Sequence, residues 1–246
     1  MKKIGTYRER IYTHYTSEKM ASWREFSETD YHHWSSAARV RLKGWLPENK
    51  NAACLDLGCG PGNVLYLLSH EGYRNICGVD VSPEQIEVAK RVCANVTCAD
   101  VKDYLASFKE NFELIIAFDL IEHFQKDELL ELLDVVRKTL KPGGTLILQT
   151  PNAESPWGLS MRYGDFTHES AFTPHSLEHI LGISGFTTFE ARECKPHIHG
   201  VKSLMRAIIW KGIWLALALW NLAETGNLGS GIYTRVFLAK TRKPLD

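Results

Sequence analysis

The 246 residues carry 29 basic and 29 acidic side chains, so the formal charge is zero, and 44% of them are hydrophobic. That balance argues against a nucleic-acid-coating protein, which carries a basic excess, and the length suits one large α/β domain whose core needs no disulfide staples. Six cysteines form no CxxC pair and no zinc-finger spacing; they read as small buried hydrophobes in a reducing compartment.

The opening MKKIGTYRERIYTHY is charged and has no apolar core, which predicts no secretory signal and a cytoplasmic location. Tyr7, Tyr12 and Tyr15 are candidates for a lid or for ordinary packing. A helix is predicted from about 31 to 46, ending before Pro47 and completing a helical cap over residues 1–50. Strand and helix signals then alternate. Residues 52–57 read as a strand, 63–70 as a helix and 75–80 as a strand. Ser82-Pro83-Glu84-Gln85 reads as a capping box with proline at the first helical position. Residues 96–98 and the continuous apolar run at 112–118 are further strands, the second buried on both faces. Apolar positions 129, 130, 132, 133, 136 and 140 form a helical stripe that Lys141-Pro142-Gly143-Gly144 stops, and 145–150 is the next strand. Residues 151–173 read as a long loop, 174–183 as a helix, 186–193 and 232–240 as strands, and 194–229 as an insert between them. Repeated βα units imply a parallel sheet with helices on both faces and a ligand beyond the carboxyl ends of its strands.

The loop Leu55-Asp56-Leu57-Gly58-Cys59-Gly60-Pro61-Gly62-Asn63 lies between a strand and a helix. Glycines there admit a ligand close to the backbone. A dinucleotide fingerprint would place glycine at 58, 60 and 63, but position 63 is Asn. Asp56 also disfavours a pyrophosphate and favours a ligand carrying an ammonium and a sulfonium. Asp80, at the end of the second strand, can accept both hydroxyls of a ribose. Asp100, after the third, is placed to accept from an adenine amino group, with the Val101 N–H nearby.

These residues, with Phe118-Asp119-Leu120-Ile121-Glu122-His123 and the Leu-Lys-Pro-Gly-Gly turn, resemble the class I S-adenosylmethionine (SAM)-dependent methyltransferase family over 52–150. The resemblance implies a Rossmann-like seven-stranded sheet with an antiparallel last strand. It also implies SAM binding by Asp56, Gly58, Gly60, Gly62, Asp80, Val81, Asp100, Val101, Phe118 and Asp119. The segments Gly164-Asp165-Phe166-Thr167-His168-Glu169 and Phe172-Thr173-Pro174-His175-Ser176-Leu177, with the tail, are similar to methyltransferases of bacterial surface-polysaccharide biosynthesis. That implies a sugar hydroxyl on a glycan or glycolipid precursor as acceptor. A small aromatic or quinone-like acceptor, or a non-catalytic SAM-fold binding module, are the rival readings.

Methyl transfer to a hydroxyl benefits from a general base. His168 is the favoured candidate, oriented by Asp165 or Glu169; His123 is the second, with a cofactor-wall role as its alternative. Trp157, Arg162 and Tyr163 are candidates for the acceptor site. His175 and His179 stand four apart on a helix but have no evident third ligand, so no metal site is expected. Residues 204–223 are apolar nearly all round and could span a bilayer by length. A single crossing would separate strands expected in one sheet, leaving a core or dimer-interface helix, or an interfacial helix on an anionic membrane.

Overall fold

The computed structural model describes residues 7–12 and 27–245. Tyr15 lies outside them, as does the side chain of Tyr12.

Seven strands form one sheet: β1 (Ala53–Leu57), β2 (Asn75–Asp80), β3 (Val96–Cys98), β4 (Phe112–Phe118), β5 (Leu140–Pro151), β6 (Thr187–Glu193) and β7 (Val236–Arg242), in the order β3-β2-β1-β4-β5-β7-β6. The first five run parallel, and β7 is antiparallel to both neighbours. The helices are α1 (Tyr7–Tyr12), α2 (Glu28–Arg41), α3 (Asn63–His70), α4 (Pro83–Ala89), α5 (Val101–Leu105), α6 (Lys126–Thr139), α7 (Gly158–Gly164), α8 (Pro174–Ile183) and α9 (Val201–Thr225), with a 3₁₀ turn at Ile121–His123.

Alternation along the central strands divides the core. Cys54, Leu114, Ile116 and Ile147 face α2 and α3, where they pack on Ala38, Leu42, Val64 and Leu68. Leu55, Ile115 and Leu146 face the other way, onto Leu105 of α5, Leu132 and Val136 of α6, and Leu177 of α8. Every residue of β1 is buried, as a strand covered by helices on both faces requires.

Several boundaries differ from the sequence reading. Helix α2 stops at Arg41, and Gly44 turns the chain with a left-handed φ of 75°. Leu140 already pairs with Phe112, and pairing resumes at Leu114↔Thr145, so 141–144 bulge out of the β5 ladder. Ser82 is the N-cap of α4, but its side chain makes no cap bond; Asp80 Oδ1 accepts from the Ser82 N–H instead (2.8 Å). The 151–173 loop contains α7. Strand β7 begins at Val236, because the carbonyls of Ile232 and Thr234 accept from the Asn152 amide (2.8 and 3.0 Å). Cys54, Cys59 and Cys77 are buried as expected, but Cys98 is exposed.

Candidate active site

A cavity of about 620 Å³ opens beyond the carboxyl ends of β1, β2, β3 and β4. Its floor is the loop from β1 into α3. The N–H groups of Gly58 and Cys59 both donate to the Val79 carbonyl (2.9 and 3.0 Å), which ties this loop to the end of β2. Gly58 has φ +67°, and a Cβ there would stand 3.0 Å from Leu120 Cδ1. Only glycine takes that backbone without strain.

Asp56 lines the cavity at 2% exposure, and its Oδ2 has no hydrogen-bond partner among the described residues. Burial, with Asp80 nearby, pushes its carboxyl well above the usual range. Asp80 accepts from Gly60 N–H through Oδ2 (2.9 Å) and from Ser82 N–H through Oδ1 (2.8 Å). Each oxygen keeps a second lone pair for a ligand. Burial raises the Asp80 carboxyl, and the backbone donors partly offset this. Asp100 caps α5, accepting from Lys102 and Asp103 N–H. Val81, Val101, Phe118 and Asp119 also line the cavity.

Gly62 does not line the cavity. It caps α3 with φ +98°, and a Cβ there would meet Ala89 of α4 at 3.4 Å, so it serves helix packing. Trp34, Leu120, Phe124 and Gln149 line the cavity and were missed in the sequence. Gln149 left a signal, being a polar side chain in the apolar run Leu146-Ile147-Leu148. Trp34 left none.

The wall beyond β4 is charged, running from exposed Asp119 to fully buried Glu122. Asp119 has a left-handed φ of 51°, and its Oδ2 accepts from Gln149 Nε2 (2.9 Å). Partial desolvation by the surrounding protein raises its carboxyl, and the Gln149 hydrogen bond offsets part of this. Glu122 is fully buried; Oε2 accepts from Thr150 Oγ1 (3.2 Å), while burial and Asp119 push its carboxyl well up. His123 lines the cavity, and burial lowers its imidazole to about 4, so it is neutral.

His168 does not line the cavity; it packs edge-on against His123, ring centroids 4.9 Å apart. Its Nδ1 is hydrogen-bonded to the Met161 carbonyl (2.8 Å). The flanking acids have other work: Asp165 accepts from Thr167 N–H and Oγ1, and Glu169 accepts from Tyr7. A backbone carbonyl therefore orients His168 where an acid was expected.

The expected acceptor residues are also placed elsewhere. Arg162 donates to the carbonyls of His168 and Glu169 and so braces that loop. Tyr163 is exposed, and Trp157 stacks under Arg235 at the surface. None of the three lines the cavity. Helix α1 closes one side: Arg8 pairs with both Glu128 oxygens, donates to the His123 carbonyl and lines the cavity.

Comparison with known proteins agrees with this geometry. The sequence profile of the methyltransferase-domain family matches residues 27–191. Trans-aconitate 2-methyltransferase of Enterobacter sp. strain 638 is 26% identical over 169 residues, 68% of this chain and 66% of that protein. A tRNA U34 carboxymethyltransferase of Desulfotalea psychrophila is 28% identical over 135 residues, 51% of this chain and only 42% of its own length. A SAM-dependent methyltransferase from Archaeoglobus fulgidus superposes with a TM-score of 0.63 at 24% identity, covering 88% of this chain and 97% of that one. Phosphoethanolamine N-methyltransferase 2 of Haemonchus contortus, solved with S-adenosyl-L-methionine, gives 0.60 at 18% identity, covering 95% and 60%. The chain spans less than half the length of the first curated relatives it matches, and it belongs to the methyltransferase-domain family.

Proposed function

We propose that this protein O-methylates a hydroxyl, on a sugar of a glycan or glycolipid precursor, at the cavity wall formed by His123 with His168 packed behind it. The observation that carries the reading is the asymmetry of the cavity. Its floor presents glycine backbone and the acids Asp56, Asp80 and Asp100, while its far wall presents neutral His123 backed by His168.

The floor fits the cofactor. Asp80 has lone pairs left for ribose hydroxyls, and Asp100 and Val101 flank an adenine position. The buried Oδ2 of Asp56, without a partner among the described residues, is suited to an ammonium, which would also relieve its desolvation. When bound, SAM supplies an electrophilic methyl on a sulfonium. The protein's task is to hold the acceptor oxygen in line with it, which can lower the barrier by ~7–11 kcal/mol. His168, with Nδ1 held by Met161, has Nε2 left for the acceptor's proton.

A second observation supports an acceptor near lipid. Helix α9 has only Ser203 and Ala218 buried, while Ile208 and Trp220 are 63% and 69% exposed. Between Cys194 and Ala223 there is no acid, yet Lys195, Lys202, Arg206 and Lys211 are present. A basic, Trp-bearing apolar helix suits an anionic bilayer surface. Strands β6 and β7 flank α9 and pair with each other, so a single crossing would part them; we read α9 as lying on the surface.

The test is transfer of labelled methyl from SAM to fractionated glycolipid and quinone extracts, with the methylated atom located by mass spectrometry and NMR. Label on a sugar oxygen supports the proposal. Label on a quinone or aromatic ring overturns it.

A further inference from the structure

Glu122, His123 and His168 meet although His168 lies 46 and 45 positions further along the chain than the other two. The loop carrying His168 is pinned to the end of β4: Glu169 and Ser170 N–H donate to the Glu122 carbonyl (2.8 and 3.1 Å), and the Thr167 carbonyl bonds His123 Nδ1 (3.3 Å). As a result, one potential ligand atom from each of Glu122, His123 and His168 lies within 4.8 Å of the other two.

Glu122 carries an independent sign. It is fully buried, and its Oε1 has no hydrogen-bond partner among the described residues. An uncompensated buried carboxylate costs several kcal/mol, so its persistence needs a partner or a retained proton. The imidazoles are held as metal-binding histidines usually are, with Nδ1 of each bonded to a backbone carbonyl, Thr167 for His123 and Met161 for His168.

We propose that Glu122, His123 and His168 bind a divalent first-row transition cation beside the methyl-transfer cavity. Two imidazoles and one carboxylate suit Mn²⁺, Co²⁺ or Zn²⁺ better than the all-oxygen preference of Mg²⁺. Ligand distances near ~2.0–2.2 Å put neighbouring ligand atoms roughly 3–3.5 Å apart. The three ligand atoms must therefore draw together when the ion binds. Three protein ligands leave positions open, and His123 puts them at the cavity wall. An acceptor hydroxyl bound there would be held in place and made more acidic. The inference rests on the hydroxyl-acceptor reading and changes one point of it: His168 acts on the proton through the cation.

The test uses the full chain, stripped with chelator and titrated with Mn²⁺, Co²⁺ and Zn²⁺ by calorimetry. Mn²⁺ is followed by EPR and Co²⁺ by its visible absorption. We expect one equivalent bound. Glu122→Gln and His168→Ala should each weaken binding at least tenfold, while the surface control His175→Ala/His179→Ala should not. Thermal unfolding checks that Glu122→Gln folds; should it fail, His168→Ala decides. No stoichiometric ion with any of the three metals, or equal binding by the His168 variant, overturns the site. Chelator-insensitive methylation of a sugar hydroxyl that His168→Ala abolishes would also overturn it, while leaving the hydroxyl-acceptor reading and a His168 base intact.

Discussion

The cavity floor and the surface of α9 break the same packing rule in opposite senses. Asp56, lining the cavity, and Glu122, next to its His123 wall, are buried acids, and each has an oxygen with no partner among the described residues. On α9, isoleucines, leucines and a tryptophan face solvent along a 25-residue helix. Both arrangements cost stability in the isolated protein, and each becomes favourable when its missing surroundings arrive. Under the proposed function a cationic ligand would satisfy the first, and an apolar, anionic surface the second. A buried acid and an exposed aliphatic row are thus equally informative, because neither is explained by folding alone.

The sharpest way to break the comparison is at Asp80. Asp80→Ala removes the ribose acceptor and the anchor for Gly60 and Ser82, so SAM affinity should fall about 100-fold, from two charge-assisted bonds of ~1.5–3 kcal/mol each. Calorimetric affinity within threefold of the parent would refute the assignment. Next is Asp56→Asn, which should raise the melting temperature yet weaken SAM about tenfold, separating stability from binding. Its pH dependence follows from linkage. The folded carboxyl is raised above 3.8, so the native state holds a proton that the unfolded chain has released. Stability from this group is therefore present at low pH and declines as pH rises above that value; the Asn variant should lack this decline in pH-dependent melts.

For the other region, Ile208→Ser/Trp220→Ser should reduce co-flotation with anionic liposomes about tenfold or more, with the melting temperature nearly unchanged because both side chains are exposed. Undiminished flotation would remove α9 from the lipid. Smallest is Gly58→Ala, whose left-handed backbone and Leu120 contact should cost about 1–2 kcal/mol in denaturant unfolding.

The sequence made the central sheet legible because β1, β4 and β5 are continuous apolar runs, and the cavity floor legible because its glycines and acids lie at strand ends. It misassigned Gly62, whose role depends on α4, a partner distant in sequence. It missed Trp34 for the same reason. The role of Arg162 was equally hidden, since its targets are backbone carbonyls that no residue type announces. The Glu122–His123–His168 grouping depends on a loop folding back onto β4, which spacing along the chain does not encode.

Helix α9 is spliced between β6 and β7, which are hydrogen-bonded to each other from Thr187 to Glu193, and β6 forms the sheet's outer edge. A short turn in its place would leave an ordinary hairpin. If α9 sets the protein's address, as proposed, that segment could be exchanged, lengthened or lost without rewriting the chemistry of the cavity, and descendants of this chain could change compartment while keeping their reaction.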